Sequence, residues 1–195
     1  MITHFYSDPH FGHPQILEYA DRPFENATHM DECLIDNYNG VVDEDDHVLW
    51  LGDCGWDMAN LLNCANSMNG RKTLILGNHD RSGIRMARMR CWDMVISTSV
   101  QMNIAGVPIL ANHYPPKGAT YPGMQFDKKF KDVMPPNLKE RIVVHGHTHE
   151  KTATVDRQRR IHVGVDAWDY SPVSTIDIRD LIVEMGWDKK MGLIK

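Results

Sequence analysis

Residues 72–80, KTLILGNHD, join an apolar run typical of a buried strand to a polar turn. Two earlier segments repeat this order, residues 2–10 (ITHFYSDPH) and residues 47–53 (HVLWLGD). Each run is short, rich in β-branched and aromatic residues, and stops at a polar turn, as strands do. The three segments therefore predict three strands, each of which ends in a cluster of polar side chains.

Helical patterns follow each of these strands. The apolar spacing predicts helices over about residues 28–38, 57–67 and 82–89, with Thr28 as the expected N-cap of the first. Strands that alternate with helices of about ten residues are typical of βαβ units around a central sheet. This half of the chain is therefore predicted to form an α/β layer structure.

The second half of the chain is dominated by short β patterns. Residues 94–104 and 107–111 flank Ala105-Gly106 and resemble a hairpin. A helix is expected near residues 180–184. Further β runs occupy residues 142–145, 152–155, 161–165 and 173–178. These runs predict a second sheet that packs against the first.

Residues 114–140 contain five prolines and little periodicity, which indicates a long surface excursion. Ordered loops of this kind often border a binding site. The whole pattern predicts a single domain over residues 1–195 with an α/β fold, a two-sheet βαβ sandwich flanked by helices in four layers.

Composition excludes several classes of protein. The chain has 195 residues, 42% hydrophobic and 24% charged, which is ordinary for a globular domain. A net charge of -5 argues against coating nucleic acid by charge alone. Four cysteines without a C-x-x-C pair are too few for a disulfide framework. No signal peptide or apolar membrane span is visible, so we expect a cytoplasmic protein without a membrane partner.

Ionisable clusters follow five of the predicted strands, at the ends where ligands gather on open α/β sheets. The clusters are Asp8-Pro9-His10, Gly52-Asp53, Gly77-Asn78-His79-Asp80, Asn112-His113 and His145-Gly146-His147-Thr148-His149. Each alone is explained as a turn, a helix cap or a structural histidine. Together these structural explanations require five coincidences of position and residue type, so a common functional site is the better interpretation.

The motifs Asp8-x-His10, Gly52-Asp53, Gly77-Asn78-His79-Asp80, His113 and Gly146-His147-x-His149 resemble, in order, the signature of the calcineurin-like metallophosphoesterase superfamily. The stretches at residues 7–13, 22–24 and 163–166 are similar to those of small single-domain bacterial and phage members. The resemblance covers most of the chain. It is specific for the superfamily and its fold, and poorly specific for the substrate.

The resemblance implies a centre of two divalent metal ions. Asp8, His10 and His149 would hold one ion, while Asp53 would bridge the two. Asn78, His113 and His147 would hold the other ion. This mixture of carboxylate, imidazole and amide ligands suits borderline metals, with Mn²⁺ as the first expectation and Fe, Zn, Ni or Co as alternatives. A hydroxide that bridges the metals would attack phosphorus.

The same resemblance implies that His79 stabilises the transition state or protonates the leaving group, and that Asp80 orients His79 and raises its pKa. His13, Arg81 and Trp168 are expected to contact the substrate. Each of these three has a structural alternative, namely packing for His13 and Trp168 and a solvated helix face for Arg81.

The expected activity is that of a phosphodiesterase acting on nucleotide-like or other small phosphodiesters. Alternatives within the superfamily are a phosphomonoesterase or protein phosphatase, a nuclease and a nucleotide-pyrophosphate hydrolase. A nuclease requires a basic track, which the net charge of -5 disfavours. Two alternatives are not enzymes, namely a non-catalytic scaffold and a metal-binding regulatory module. The sequence does not predict the oligomeric state.

Overall fold

Ten strands, five α-helices and a 3-10 helix (Val165–Ala167) lie in residues 2–123, 129–138, 140–155 and 159–187, the part of the chain that the computed structural model describes. The strands are β1 (Thr3–Tyr6), β2 (His47–Trp50), β3 (Arg71–Ile75), β4 (Met94–Ile96), β5 (Ser99–Ile104), β6 (Val107–Asn112), β7 (Ile142–His145), β8 (Thr154–Val155), β9 (Arg160–His162) and β10 (Val173–Ser174). The helices are α1 (Ile16–Tyr19), α2 (Ala27–Asn39), α3 (Met58–Asn66), α4 (Gly83–Ala87) and α5 (Thr175–Glu184). Part of the predicted excursion, residues 124–128 and 139, lies outside the described residues.

The first sheet has the strand order β10-β1-β2-β3-β4. Strands β1 to β4 are parallel, and Tyr6 pairs with Trp50, which in turn pairs with Leu74. Strand β10 joins the edge antiparallel to β1. Because β1, β2 and β3 are parallel and in register, their polar turns emerge side by side at one edge of the sheet.

The second sheet has the order β5-β6-β7-β9-β8. Its central strands β6, β7 and β9 are parallel, and Asn112 pairs with His145, which pairs with His162. Strands β5 and β8 are antiparallel to their neighbours. The histidine-rich turns after β6 and β7 therefore also leave the sheet together.

One hydrophobic core lies between the first sheet and helices α2, α3 and α4, which contribute Leu34, Leu61 and Met86 respectively. At its centre Trp50 is fully buried among aromatic rings, with centroids 4.8 Å from Tyr6 and 5.1 Å from Trp92. Edge-to-face packing of this kind adds to the free energy gained from burying apolar area.

A second core fills the space between the two sheets. The opposite faces of β1, β2 and β3 pack here against β6, β7 and β9, and α5 contributes Ile178 and Ile182. The core side chains alternate in direction along each strand, so Leu49 faces this core while Trp50 faces the helices. The predicted α/β fold, two sheets flanked by helices, is confirmed, and the expectation of a single domain over residues 1–195 stays a prediction.

The expected hairpin over residues 94–104 and 107–111 is only partly formed. Its first strand is divided by a bend at Ser97 and Thr98, so β4 belongs to the first sheet and β5 to the second. The Asn112 side chain stabilises the bend by donating a hydrogen bond to the Thr98 carbonyl, at 2.9 Å. One continuous β pattern in the sequence therefore supplies a strand to each sheet. Periodicity alone does not reveal where the pattern is divided.

Two helix starts also differ from the sequence expectations. The N-cap of α2 is Asn26, whose side chain accepts the His29 amide, and not Thr28. Residues 173–178 form two strand residues and then α5, because Ser174 and Asp177 make a capping box. In the described stretches, no helix has the length and apolarity needed to cross a membrane.

Replacing Trp50 by alanine tests the aromatic core beneath the first sheet. Trp50→Ala is expected to lower the free energy of unfolding by about 3–5 kcal/mol, because it leaves a large cavity among rings that cannot collapse. Urea denaturation followed by circular dichroism measures the loss. Trp56→Ala is the matched control, since Trp56 is 55% exposed and should cost less than about 1 kcal/mol. Equal effects of the two substitutions would contradict this description of the core.

Candidate metal centre

The turns that carry the predicted clusters are joined by backbone hydrogen bonds. The Asp8 amide donates to the Gly52 carbonyl at 3.1 Å, which joins the turns after β1 and β2. The Gly146 amide donates to the His113 carbonyl at 3.0 Å, which joins the turns after β6 and β7. The His147 amide donates to both Asp8 carboxylate oxygens, at 3.0 and 2.9 Å, and so connects the two sheets. Four of the clusters are joined in this way, and the fifth joins them through Asp80, which accepts the amides of Asp53 and Cys54 at 3.0 Å.

The backbone at this meeting point is strained. Left-handed φ angles are rare outside glycine and concentrate where the surrounding structure enforces them, often at functional sites. Five of the seven expected metal ligands have such angles, namely Asp8 (58°), His10 (53°), Asp53 (52°), His147 (71°) and His149 (49°). The turns are thus shaped to direct these side chains inwards at a cost in backbone energy.

One group of potential ligand atoms comprises Asp8, His10 and His149, whose donor atoms all lie within 4.8 Å of one another. Asp8 and His10 are buried, while the His149 side chain is 24% exposed. This group borders Asp53, because the His10 Nε2 atom lies 3.7 Å from Asp53 Oδ2.

The second group comprises Asp53, His113 and His147, again within 4.8 Å. The other Asp53 oxygen, Oδ1, lies 3.6 Å from His113 Nε2. Asn78 Oδ1 also lies 3.0 Å from His113 Nε2, so the amide oxygen belongs to this group. Asp53 therefore presents one oxygen to each group, the arrangement expected of a bridging ligand.

The chemistry of these atoms fits two divalent cations. The buried His10 Nε2 atom has no hydrogen-bond partner in the described structure. Burial raises the pKa of Asp8 to about 6 despite the opposing effect of His149. Burial, together with the charges of Asp8 and Asp80, raises the pKa of Asp53 well above its usual value. Cations between these groups would satisfy the orphaned nitrogen and neutralise the crowded carboxylates.

Buried partners orient the histidines of both groups. The Nδ1 atom of His113 is 2.6 Å from the Leu51 carbonyl, and that of His149 is 2.8 Å from Asp166 Oδ2. These contacts leave Nε2 of each ring for a metal. Asp166 is itself held by Arg22, which donates from Nε and Nη2 to its two oxygens at 2.9 Å each.

Arg22 also fixes the turn after β1. Its guanidinium donates to the carbonyls of Pro9 at 2.8 Å and Asp8 at 2.7 Å. Hydrogen bonding by His149 and Arg22, together with the charge of Arg22, holds the pKa of Asp166 well below its usual range despite burial. The sequence predicts no role for either residue, because they lie 144 positions apart and no local pattern links them.

A second buried network supports the loop that carries His147 and His149. The Thr148 hydroxyl donates to Glu150 Oε2 at 2.7 Å. Arg160, fully buried, donates to both Glu150 oxygens at 2.6 and 2.9 Å. Arg160 also donates to the Thr120 carbonyl at 3.2 Å, which connects this loop to the excursion. The largely buried ion pair between Arg160 and Glu150 therefore stabilises this loop.

Asp80 has a structural role in the fold that the sequence did not predict. Its carboxylate accepts the backbone amides of Gly77 at 2.8 Å and of Asp53 and Cys54 at 3.0 Å. It makes no hydrogen bond to the His79 ring among the described contacts. Desolvation and the nearby His13 lower the pKa of His79, and the smaller opposing effect of Asp80 does not reverse this. Asp80 thus joins two turns, and its catalytic role stays a prediction.

His79 itself lies beside the first group of potential ligands. Its exposed ring has its centroid 5.4 Å from that of His10. Its backbone amide donates to Asp53 Oδ1 at 2.8 Å, which fixes the turn relative to the bridging carboxylate. The side chain is therefore free to reach a ligand bound over the metal centre.

The three residues expected to contact substrate are placed differently. His13 is buried beside His10, with ring centroids 5.8 Å apart, and packs against Trp56 at 4.4 Å. Arg81 is exposed and precedes α4. The Trp168 indole donates to the His162 carbonyl at 2.8 Å and packs against the core between the sheets. Trp168 therefore packs as its structural alternative expects, and contact of these three residues with substrate stays a prediction.

A cleft of about 380 Å³ opens over both groups of potential ligands. Its lining includes Asp53, His149 and His79. Lys129 and Phe130 form part of its wall. The sequence predicts that the excursion borders the site. It does not single out these two residues, because the segment has no regular pattern.

Comparison with known proteins agrees with the geometry. The family model of the calcineurin-like phosphoesterase superfamily domain matches residues 5–165, so the chain belongs to that superfamily. It is accordingly a metal-dependent phosphoesterase of a class that uses two divalent metal ions.

Its relatives include small archaeal and phage proteins. The uncharacterized protein MJ1445 of Methanocaldococcus jannaschii is 29% identical over 187 residues, covering 92% of this chain and 88% of the relative. The Gene 66 protein of Mycobacterium phage D29 is 31% identical over 199 residues, covering 91% and 94%. The solved structure of the protein of unknown function AQ665 from Aquifex aeolicus has a TM-score of 0.71 and 25% identity, covering 93% and 99%.

Replacing Asp166 tests the orientation of His149. Asp166→Asn keeps the size of the side chain but removes the charge shared by Arg22 and His149, so metal binding is expected to weaken about 10–100-fold. Competition for Mn²⁺ against a chromophoric chelator measures the change. Asp169→Asn, an exposed neighbour, is the control and should bind Mn²⁺ as the unaltered protein does. Unchanged affinity in folded Asp166→Asn protein would contradict the orienting role.

Proposed function

We propose that the chain is a phosphodiesterase that hydrolyses nucleotide-like or other small phosphodiesters. The observation that carries the proposal is the exposed His79 ring, which lines the cleft directly beside the ligand groups that Asp53 connects. A cleft of about 380 Å³ is within the range of small-ligand sites, which is roughly 300–1,000 Å³. The net charge of -5 favours a small substrate over a nucleic acid.

The proposed ligand sets are those of the two groups. Asp8, His10 and His149 would hold one ion, Asn78, His113 and His147 the other, and Asp53 both. We propose Mn²⁺ as the first choice of metal, because the sets mix carboxylate, amide and imidazole ligands. Such ions, when bound, polarise a phosphoryl oxygen and lower the pKa of water.

His79 acts on the oxygens of the substrate in this proposal. Its lowered pKa favours the neutral imidazole, which still carries one N–H. That N–H can donate to a phosphoryl or leaving-group oxygen as negative charge develops there. The His79 amide donates a hydrogen bond to Asp53, which fixes the backbone that carries the ring. Asp80 contributes by keeping the two turns together.

The cellular location is proposed to be the cytoplasm. All four cysteines are free thiols, and two of them, Cys54 and Cys64, are buried. Unpaired cysteines are usual in reducing compartments, where disulfides rarely persist.

Side-by-side hydrolysis of a chromogenic phosphodiester and its matching monoester tests the proposal. Protein stripped of metal and reloaded with Mn²⁺ is expected to prefer the diester. Asp53→Ala should abolish turnover together with metal binding. His79→Ala should retain metal and lose about 10²–10⁴-fold in rate on an ester with a poor leaving group. His29→Ala, on α2, is the control.

Three outcomes would contradict the proposal in different ways. Preference for the monoester would replace diesterase by monoesterase activity. Near-normal turnover by His79→Ala would remove the proposed role of that ring. No turnover of either ester by protein that binds two metal ions would support the scaffold alternative.

A further inference from the structure

One positively charged side chain is found among the described residues that line the cleft. Among the described residues that line it, Lys129 is the only lysine or arginine, and it shares the lining with Asp53, Asn78 and His79. The remaining lining side chains are a carboxylate, an amide, imidazoles and the Phe130 ring. The cleft wall therefore carries a positive charge that the metal-ligand sets do not use.

The Lys129 ammonium lies over an aromatic platform formed by Phe130 and the rings that pack against it. Its Nζ atom lies 4.7 Å from the centroid of the Phe130 ring, within the range of a cation–π interaction. Phe130 in turn packs against Tyr114 at 5.2 Å and edge-to-face against His147 at 5.5 Å. The platform thus connects the lysine to one of the expected metal ligands and restricts where its charge can lie.

Lys129 differs from the two buried arginines, Arg22 and Arg160. Arg22 is neutralised by Asp166, and Arg160 by Glu150. In the described parts of the chain no carboxylate forms a salt bridge with Lys129, which is exposed. A lysine at a cleft wall without an internal anion is available to an anion of the ligand, and its ammonium is a common phosphate-binding group.

We propose that Lys129 is a specificity-determining residue that binds a second phosphate group of the substrate, beside the phosphoryl group that is hydrolysed. This inference rests on the proposed function, because the scissile phosphoryl group occupies the part of the cleft near Asp53 and His149. Phe130 is the positioning residue that holds the ammonium in the cleft. The substrates of choice are then phosphoesters that carry an additional phosphate.

Two chromogenic esters that differ in one phosphate test the inference. They are the p-nitrophenyl ester of thymidine 5′-phosphate and the same ester bearing a 3′-phosphate. The unaltered protein is expected to have a kcat/KM roughly tenfold higher for the ester with the 3′-phosphate, the effect of one charge-assisted contact. Lys129→Gln should remove this preference and Lys129→Arg should keep it. Phe130→Leu should reduce it.

The matched control is Lys131→Gln, which removes an exposed lysine two residues along the same segment. It should leave the preference intact. An equal loss in Lys131→Gln would show that general charge, and not the seated ammonium, attracts the substrate. An undiminished preference in Lys129→Gln would overturn the inference.

Equilibrium binding separates this inference from the proposed function. Calorimetry on the Mn²⁺-loaded protein compares thymidine 3′,5′-bisphosphate with thymidine 5′-monophosphate, and needs no turnover. A tighter Kd for the bisphosphate that depends on Lys129, without hydrolysis of either ester, supports the subsite and contradicts the diesterase activity. Hydrolysis with equal Kd values for the two nucleotides overturns the subsite alone.

Discussion

The close approach of the turns after β2 and β3 is the constraint on which the metal centre depends. A Cβ atom on Gly52 would lie 2.6 Å from the Gly77 Cα atom, and one on Gly77 would lie 2.6 Å from the Asp53 amide nitrogen. Glycine at both positions lets the two backbones touch. The Asp80 carboxylate then binds amides from both turns, which places Asp53 between the two ligand groups. The close approach of these two turns thus brings Asp53 and the Asn78-His79 turn into the same site.

Bringing these groups together costs electrostatic free energy. Asp8 and Asp53 are both almost fully buried, and burial is the main reason that the pKa of each is raised. Buried charges are tolerated when partners compensate them. For Asp8, part of this compensation comes from His149 and from hydrogen bonds with Ser7 and the His147 amide. Two divalent cations would supply the rest, so the binding of metal and the stability of the strained turns are coupled.

The sequence was sufficient for the features that depend on local pattern. Apolar runs that stop at polar turns predicted the strand ends, and the rule that parallel strands end at one edge predicted that Asp8, Asp53 and Asn78 would meet. The contacts of Arg22 with Asp166 and of Lys129 with Phe130 were not predicted, because they depend on the path of long connections.

Other features were misread although local signals existed. The pair Ser174 and Asp177 has the spacing of a capping box, yet the β pattern over residues 173–178 concealed the start of α5. The strand over residues 94–104 was divided by a bend whose partner, Asn112, lies on another strand. The packing alternative for Trp168 depends on the core between the two sheets, which the sequence alone does not show.

Anomalous scattering from Mn²⁺-soaked crystals tests the central claim, a two-metal centre bridged by Asp53, most directly. The account predicts two peaks about 3.5–4 Å apart, one beside Asp8, His10 and His149 and the other beside Asn78, His113 and His147, with the Asp53 carboxylate between them. A single peak, or two peaks with the Asp53 carboxylate in contact with only one, would contradict it.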